Sequence, residues 1–397
     1  MWQAALGEQA GLKFGCLSGD RIWDADAAAF GYPAPAIAQA DPQIRMSFEV
    51  ATEALHDTGM PPSALRAGAA SVGVFAAQGI PEHVSRLSSG AGAAFSKMTI
   101  AGNYSTFLSN VVSANFDFRG PSITIDTACS SSITALHLAV ESLVCGSCDA
   151  ALVVATNALV SPLFLRALAE NGVLSATGRS LPFDAAADGF VRGEGAVAMV
   201  LVAADVGGLR PVPRVPGVTW AAVRVYAHVI STGANHDGAK IQMTEPSGAQ
   251  QAALIRFALA RAGVDAAAVA LMDMHATGTP VGDPIESAAV SVALGAGAGR
   301  AAPLLIGSVK GNFGHLESAA GLVSEKMERG PGSARARSTS CHLTHLAHAH
   351  RPPPRSPPLP SSLLGLARQV RVRHVLPRRP AHRRGGRVRD HQPTHRP

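Results

Sequence analysis

The sequence predicts an α/β fold laid out as two similar bodies followed by a basic tail. Short apolar runs of strand length alternate with segments of helical period, the pattern of a layered α/β architecture. The alternation occurs twice, on either side of a Pro- and Gly-rich stretch. Aromatic residues make up only 5% of the chain against 40 glycines, which suits helices packed closely on a buried sheet. With 397 residues, 47% of them hydrophobic, the chain has length for two or three domains, or one large α/β domain, around a substantial core.

The first body takes residues 1–205. Met46–Thr58 has the period of a helix, with Gly59 as its stop and Pro61 soon after. Ser71–Phe75 reads as a strand, and the β-branched run Ile123-Thr124-Ile125 as another. A long apolar-periodic segment, Ile133–Val144, predicts a helix that Gly146 ends in the left-handed conformation. Ala150–Thr156 reads as a strand buried on both faces, and Ala196–Val202 as one more. Residues 206–217, rich in Pro and Gly, form a linker.

The second body takes residues 218–326 and repeats this grammar without repeating the residues. Ala221–Ile230 is strand-like, Gly248–Ala262 is helical with Gly263 as its stop, and Val269–Met274 is strand-like. Pro284–Leu294 predicts a helix and Leu304–Val309 a strand. Residues 327–397 are dominated by Pro, Ser, Arg, His and Ala and carry no steady periodicity, so this tail is expected to be disordered.

Composition narrows the function classes. The five cysteines, Cys16, Cys129, Cys145, Cys148 and Cys341, are too few and too uneven for a disulfide framework, and they predict a reducing, cytoplasmic setting. Cys145-Gly146-Ser147-Cys148 has thioredoxin-type spacing but falls where a helix ends, and reads as structural. The N-terminus shows no secretory signal, nothing supports a plastid address, and no apolar run is expected to span a membrane. The net charge of +6 is uneven: residues 329–397 hold fifteen Arg, no Lys and one acid, Asp390, so the tail carries +14 and the rest −8. Arg without Lys is also what GC-rich coding DNA yields when read out of frame.

Three motifs carry chemistry. In Asp126-Thr127-Ala128-Cys129-Ser130-Ser131-Ser132 a strand turns into a helix and leaves Cys129 at the helix N-terminus. Open backbone N–H groups and the helix dipole there lower a thiol's pKa and favour a nucleophile, although an isolated Cys also reads as a small buried residue. His275-Ala276-Thr277-Gly278-Thr279-Pro280-Val281-Gly282-Asp283-Pro284 follows one strand-like run, and Lys310-Gly311-Asn312-Phe313-Gly314-His315-Leu316-Glu317 follows another. Open α/β sheets build sites at the carboxyl ends of strands, so one thiol and two imidazoles at three such ends can converge. Taken singly, each His reads as a turn or core histidine, and Lys310 with Glu317 as a structural ion pair.

Together these motifs, with Gly120–Ser132 and Phe183–Gly195, resemble the ketosynthase (β-ketoacyl synthase) domain of the condensing enzymes, of the modular polyketide synthase type. The resemblance runs from about Asp41 to Gly321. It implies a thiolase-like fold of two similar α/β halves, usually a homodimer. It also implies that Cys129 carries the acyl group and that His275 and His315, as neutral imidazoles, steady the enolate formed when a malonyl-type extender loses CO₂. Lys310 and Glu317 are implied as supporting residues. Acyl and malonyl thioesters on an acyl carrier protein are the implied partners, in polyketide or fatty acid synthesis. No metal or organic cofactor is implied.

Having all three of Cys129, His275 and His315 argues against chain-length-factor, non-elongating and initiating relatives of this family. Three departures stand out. Ala276 replaces a more usual Gly; residues 1–40 lack the family's opening glycine-rich strand; and residues 322–397 lack its final Gly-Phe-Gly-Gly-Thr-Asn-type loop, which supplies an oxyanion donor. One such donor is worth on the order of 10²–10³ in rate. The C-terminal half is therefore expected to be incomplete. Beside the condensing enzyme stand a truncated or mis-framed inactive ketosynthase and a binding protein using Arg-rich segments such as Arg378–Arg384. The tail lacks aromatic interleaving and any nucleic-acid module, so neither a nucleic-acid nor a membrane partner is expected. His342, His345, His348 and His350 have no Cys- or acid-rich partner set to define a metal site.

Overall fold

The first long helix, α1 (Pro42–Asp57), starts four residues before the periodic signal because of its cap. The Asp41 carboxylate accepts the N–H of Gln43 at 2.9 Å, and Pro42 enters the first turn with its φ already helical. This is a computed structural model, and it describes residues 22–24, 26–67, 70–88, 96–204, 225–240, 244–295, 299–327 and 344–345.

After α1 come β1 (Val72–Gln78), α2 (Thr106–Phe116), β2 (Ser122–Ile125), α3 (Ser131–Cys145), β3 (Ala150–Asn157), α4 (Pro162–Glu170) and β4 (Gly195–Val202). The strands pair in the order β2-β1-β3-β4, with β1 parallel to both β2 and β3 and β4 antiparallel to β3. Every residue of β3 is buried, as its unbroken apolar run predicts.

The two faces of this sheet take alternate residues. Val74, Ala76, Leu152, Val154, Ala198 and Val200 join Ile44, Val50, Ala51, Leu55, Leu108 and Val112 of α1 and α2 in one core. Phe75, Ala77, Val153, Ala155, Val197 and Met199 join Ala135, Leu136, Ala139 and Leu143 of α3 in the other. Each fully buried Leu or Val contributes roughly 1.5–3 kcal/mol, so the double layer fixes the strand register. Gly146, at φ 73°, ends α3 as expected, with Ser147 donating to the Ser142 carbonyl at 2.9 Å. The stretch Ala128–Cys145 has the length and apolar composition of a membrane span, contrary to the sequence expectation. One third of the stretch is buried, with Ala135, Leu136, Ala139 and Leu143 in the core beside β1 and β3, the placement of a sheet-covering helix.

The second body is smaller. It contains α5 (Gly248–Ala262), β5 (Leu271–Asp273), α6 (Gly282–Leu294), β6 (Leu305–Gly307) and α7 (Ala320–Met327). The strands β5 and β6 pair in parallel as a two-stranded sheet, over a core of Met274, Ala276, Val290 and Leu294. The helix α7 returns to the first body, where Leu322 and Val323 are buried beside α3. The strand expected over Ala221–Ile230 is corrected: 225–230 belong to no named strand, and 221–224 lie outside the described residues. Strands β5 and β6 are three residues each, shorter than their apolar runs, and Leu271, Leu305 and Ile306 remain exposed.

The linker 206–217 lies outside the described residues, as do the Arg378–Arg384 run and His342, His348 and His350. Of the tail expected to be disordered, Thr344–His345 forms a two-residue strand, β7, antiparallel to β4 at Val197 and Ala198. Unpaired backbone groups along a sheet edge accept any short extended segment, whatever its composition.

Candidate active site

The turn between β2 and α3 is built by its own small polar residues. Asp126 Oδ1 accepts the N–H of Ala128 at 2.9 Å, and Ser131 Oγ accepts the N–H of Thr127 at 2.8 Å while donating to the Ala128 carbonyl at 2.6 Å. These bonds hold Ala128 at φ 55°, a left-handed conformation costly for a residue with a Cβ. The next residue, Cys129, is thereby turned outward just before α3. Ser132 Oγ accepts the Leu322 N–H at 3.3 Å and ties the elbow to α7.

His315 is set by a different device. After β6 the chain makes a short helix, Lys310–Phe313, and then Gly314 at φ 74°, where a Cβ would sit 2.7 Å from the Val191 carbonyl oxygen. That close approach lets His315 pair like a strand residue: its N–H donates to Val191 at 2.7 Å, and its carbonyl accepts from Gly193 at 2.8 Å. The imidazole is 1% exposed. Its Nε2 lies 2.9 Å from Cys129 Sγ, and its Nδ1 accepts the backbone N–H of Glu317 at 3.1 Å. With Nδ1 accepting, the neutral ring carries its proton on Nε2, facing the sulfur.

His275 reaches the same spot from the end of β5. Glu286, on α6, accepts the N–H of His275 at 2.7 Å and of Ala276 at 2.8 Å. Asp283 accepts from Gly278, Thr279 and Phe183, which fastens the loop to the first body. Ala276 is buried, so its methyl is accommodated where the family more often has Gly. The rings of His275 and His315 are 5.2 Å apart at 88°, and Phe190 meets His315 edge-on at 5.2 Å.

Electrostatics favour neutral imidazoles. Withdrawal from water, with Lys310 nearby, pushes His275 down to about 3. The same withdrawal, with His275, Lys310 and Arg192 around it, holds His315 well below the usual histidine value. Burial also lowers Lys310, while Asp273, Glu286, Cys129 and Asp283 oppose the shift. The lowered thiol pKa expected of Cys129 is corrected. Withdrawal from water and then the charge of Glu317 raise it, and Lys310 pulls the other way. Cys129 and His275 keep solvent-exposed surface, which weakens these pushes without reversing them.

The structure thus brings Cys129, His275, His315 and Lys310 together and puts Glu317 behind His315. The alternative Lys310–Glu317 ion pair does not form, because Arg192 takes the Glu317 carboxylate through Nε at 2.5 Å and Nη2 at 2.8 Å. Sequence reasoning does not single out Arg192, Glu82, Asp283 or Glu286. Arg192 lies inside the Phe183–Gly195 motif, but its partners come from segments remote in the chain, and Glu82 carries no local signal at all. The ligand atoms of Cys129, His275 and His315 lie within 4.8 Å of one another, a metal-like spacing. The proton on Nε2 of His315 leaves that nitrogen no lone pair for a metal. Cys145 and Cys148 form no disulfide, the first exposed and the second buried in the core under α3.

Comparison with known proteins gives a consistent picture. The N-terminal domain of β-ketoacyl synthases matches residues 3–205, and the C-terminal domain matches 226–325. The first match extends well ahead of Asp41, where the sequence motifs begin. The chain is similar to a phenolphthiocerol/phthiocerol polyketide synthase of Mycobacterium tuberculosis, 40% identical over 283 residues, covering 71% of this chain and 14% of that protein. It is also 40% identical over 326 residues to polyketide synthase ThaG of Burkholderia thailandensis, covering 79% of this chain and 5% of that one. Among solved structures, the oxazolomycin ketosynthase domain of Streptomyces albus aligns at a TM-score of 0.67 with 34% identity, covering 77% of this chain and 52% of that one. The ketosynthase from module 6 of the Bacillus subtilis bacillaene synthase aligns at 0.64 with 30% identity, covering 77% and 50%. The chain therefore spans a small part of the curated polyketide synthases and about half of the solved ketosynthase chains.

Proposed function

Because the chain belongs to the β-ketoacyl synthase family, we propose that it catalyses decarboxylative condensation of a Cys129-bound acyl group with a malonyl-type thioester. The observation that carries this reading is the contact of His315 Nε2 with Cys129 Sγ at 2.9 Å, its tautomer set by Glu317.

In the first step Sγ attacks the acyl thioester carbonyl. A carbon–sulfur bond to Cys129 forms, the bond to the carrier thiol breaks, and the proton lost by Cys129 ends on the departing thiol. The Nε2–H of His315 steadies the thiolate as it develops, a role that matters because burial alone disfavours that charge. In the second step the malonyl thioester loses CO₂, and the electron pair of the broken carbon–carbon bond becomes an enolate. Neutral His275 and His315 donate N–H to the enolate oxygen. The enolate carbon then attacks the acyl carbonyl on Cys129, a carbon–carbon bond forms, and Sγ leaves as thiolate. Lys310 stays a supporting charge close by.

The polyketide synthases among the relatives support a polyketide chain as substrate and an acyl carrier protein as its bearer. A homodimer fits the exposed edge strand β2, where Ile123 is 42% exposed. The test is acylation of the full chain by an acyl thioester, read by peptide mass, followed by addition of a malonyl–carrier thioester. Label on Cys129 and release of a β-ketoacyl product are expected. Equal labelling after Cys129→Ala would overturn the assignment.

A further inference from the structure

Behind His315 lies a buried ion cluster that none of the steps above uses. Arg192 is 1% exposed, and its guanidinium reaches two acids, with Nη2 shared between them. Nε and Nη2 fork onto the two oxygens of Glu317 at 2.5 and 2.8 Å, and Nη2 also donates to Glu82 Oε1 at 2.9 Å. Glu82 is itself fixed, because its Oε2 accepts the N–H groups of Val160 and Ser161 at 3.0 and 2.8 Å. The ring of Phe164, on α4, closes one face of the guanidinium with its centroid 5.1 Å from Cζ. Nη1 is buried with no hydrogen-bond partner among the described residues. A guanidinium buried with both N–H groups of one nitrogen bare is a poor device for stability, and replacing such clusters by apolar groups is often neutral or better.

The arrangement is a good device for geometry. The residues flanking Arg192, Val191 and Gly193, bracket the backbone of His315 by two hydrogen bonds. Glu317 holds φ 47°, a left-handed conformation that an unrestrained residue with a Cβ leaves. Its N–H meets Nδ1 of His315 at 3.1 Å, and the planar fork from Arg192 fixes the side chain of the residue that carries that N–H.

We propose that Arg192 is a positioning residue which, through Glu317, locks His315 in the tautomer that presents N–H to the Cys129 side. Released from the fork, Glu317 relaxes, Nδ1 gains the proton, and Nε2 turns a lone pair toward the sulfur. An N–H donor to the enolate is then lost. The catalytic consequence rests on the condensing reading; the tautomer itself does not.

The test is nitrogen-15 NMR of the full chain labelled in histidine, together with malonyl-thioester decarboxylation and the alkylation rate of Cys129. In the unaltered protein His315 shows a protonated Nε2 and a bare Nδ1. Arg192→Met is expected to populate the other tautomer and to cut decarboxylation on the order of 10²-fold. Arg192→Lys keeps the charge but not the fork, so it is expected to recover thermal stability without recovering the tautomer. An unchanged tautomer in folded Arg192→Met, with decarboxylation intact, would overturn the proposal. Should that variant not fold, Glu317→Gln breaks the fork from the other side and decides by the same measurements. Absent decarboxylation by the unaltered chain defeats the condensing reading, while the NMR result still decides the role of Arg192.

Discussion

His315 Nε2 stands 2.9 Å from Cys129 Sγ across 186 positions of sequence, and the second nitrogen of that ring is already occupied by a backbone N–H. The thiol therefore faces a hydrogen-bond donor, not a base. The reactivity of Cys129 is set by charges around it, and these are testable one at a time.

Alkylation of Cys129 is expected to rise with pH through a range above that of an ordinary thiol, since burial and Glu317 both disfavour the thiolate. Lys310 pulls the other way, so Lys310→Met is expected to move the profile to higher pH. Peptide-resolved mass spectrometry is needed, because Cys145 is also exposed. A profile that stays in place, or moves downward, would contradict the role given to Lys310.

Decarboxylation is expected to show no histidine titration between about pH 5 and pH 8, because both rings stay neutral across that range. An inflection near the ordinary histidine value would show that one imidazole is charged in the resting site.

The same shifts govern stability. Below the unfolded histidine value of 6.5 the unfolded chain binds protons that folded His275 refuses, down to about 3, so folding weakens on acidification through that window. Asp41 acts in the opposite sense. Burial first, and the charge of Glu82 last, raise it to about 6, so it favours the fold below 3.8 and that contribution is lost as pH rises through 6. Urea midpoints measured across pH are expected to depend less steeply on acid in His275→Gln and more steeply in Asp41→Asn.

Glu286→Gln leaves one of the two N–H groups at His275 and Ala276 without its acceptor, a cost of about 1–3 kcal/mol. A lower thermal midpoint and slower decarboxylation are expected, with alkylation of Cys129 little changed.

Gly314→Ala places a methyl 2.7 Å from the Val191 oxygen in a left-handed conformation. A loss of roughly 1–3 kcal/mol from backbone strain, with further loss from steric displacement of His315, is expected in urea unfolding.

How much of this is legible in the sequence differs by element. Helix α5 and its stop Gly263 match residue for residue, and β3 and β4 match to within one, because periodicity and glycine stops are local signals. Strands β5 and β6 are shorter than their apolar runs, and no strand forms over 225–230. An apolar run specifies burial, whereas a strand also needs a neighbour with which to exchange hydrogen bonds. Helix α1 begins ahead of its periodic segment because the cap, Asp41-Pro42, precedes the apolar pattern.

The site divides in the same way. Cys129, His275, His315, Lys310 and Glu317 are readable because each sits in a motif whose glycines, serines and prolines shape its own turn. By itself the sequence determined the chemical groups and the local turns that present them, since both depend on residues a few positions apart. Only the tertiary structure decided which nitrogen of His315 faces the sulfur, that Glu317 serves Arg192 and not Lys310, and that the Cys129 thiol is pushed up and not down. Those outcomes depend on the distance and solvent exposure of charges brought together from segments more than a hundred residues apart, which no local pattern encodes.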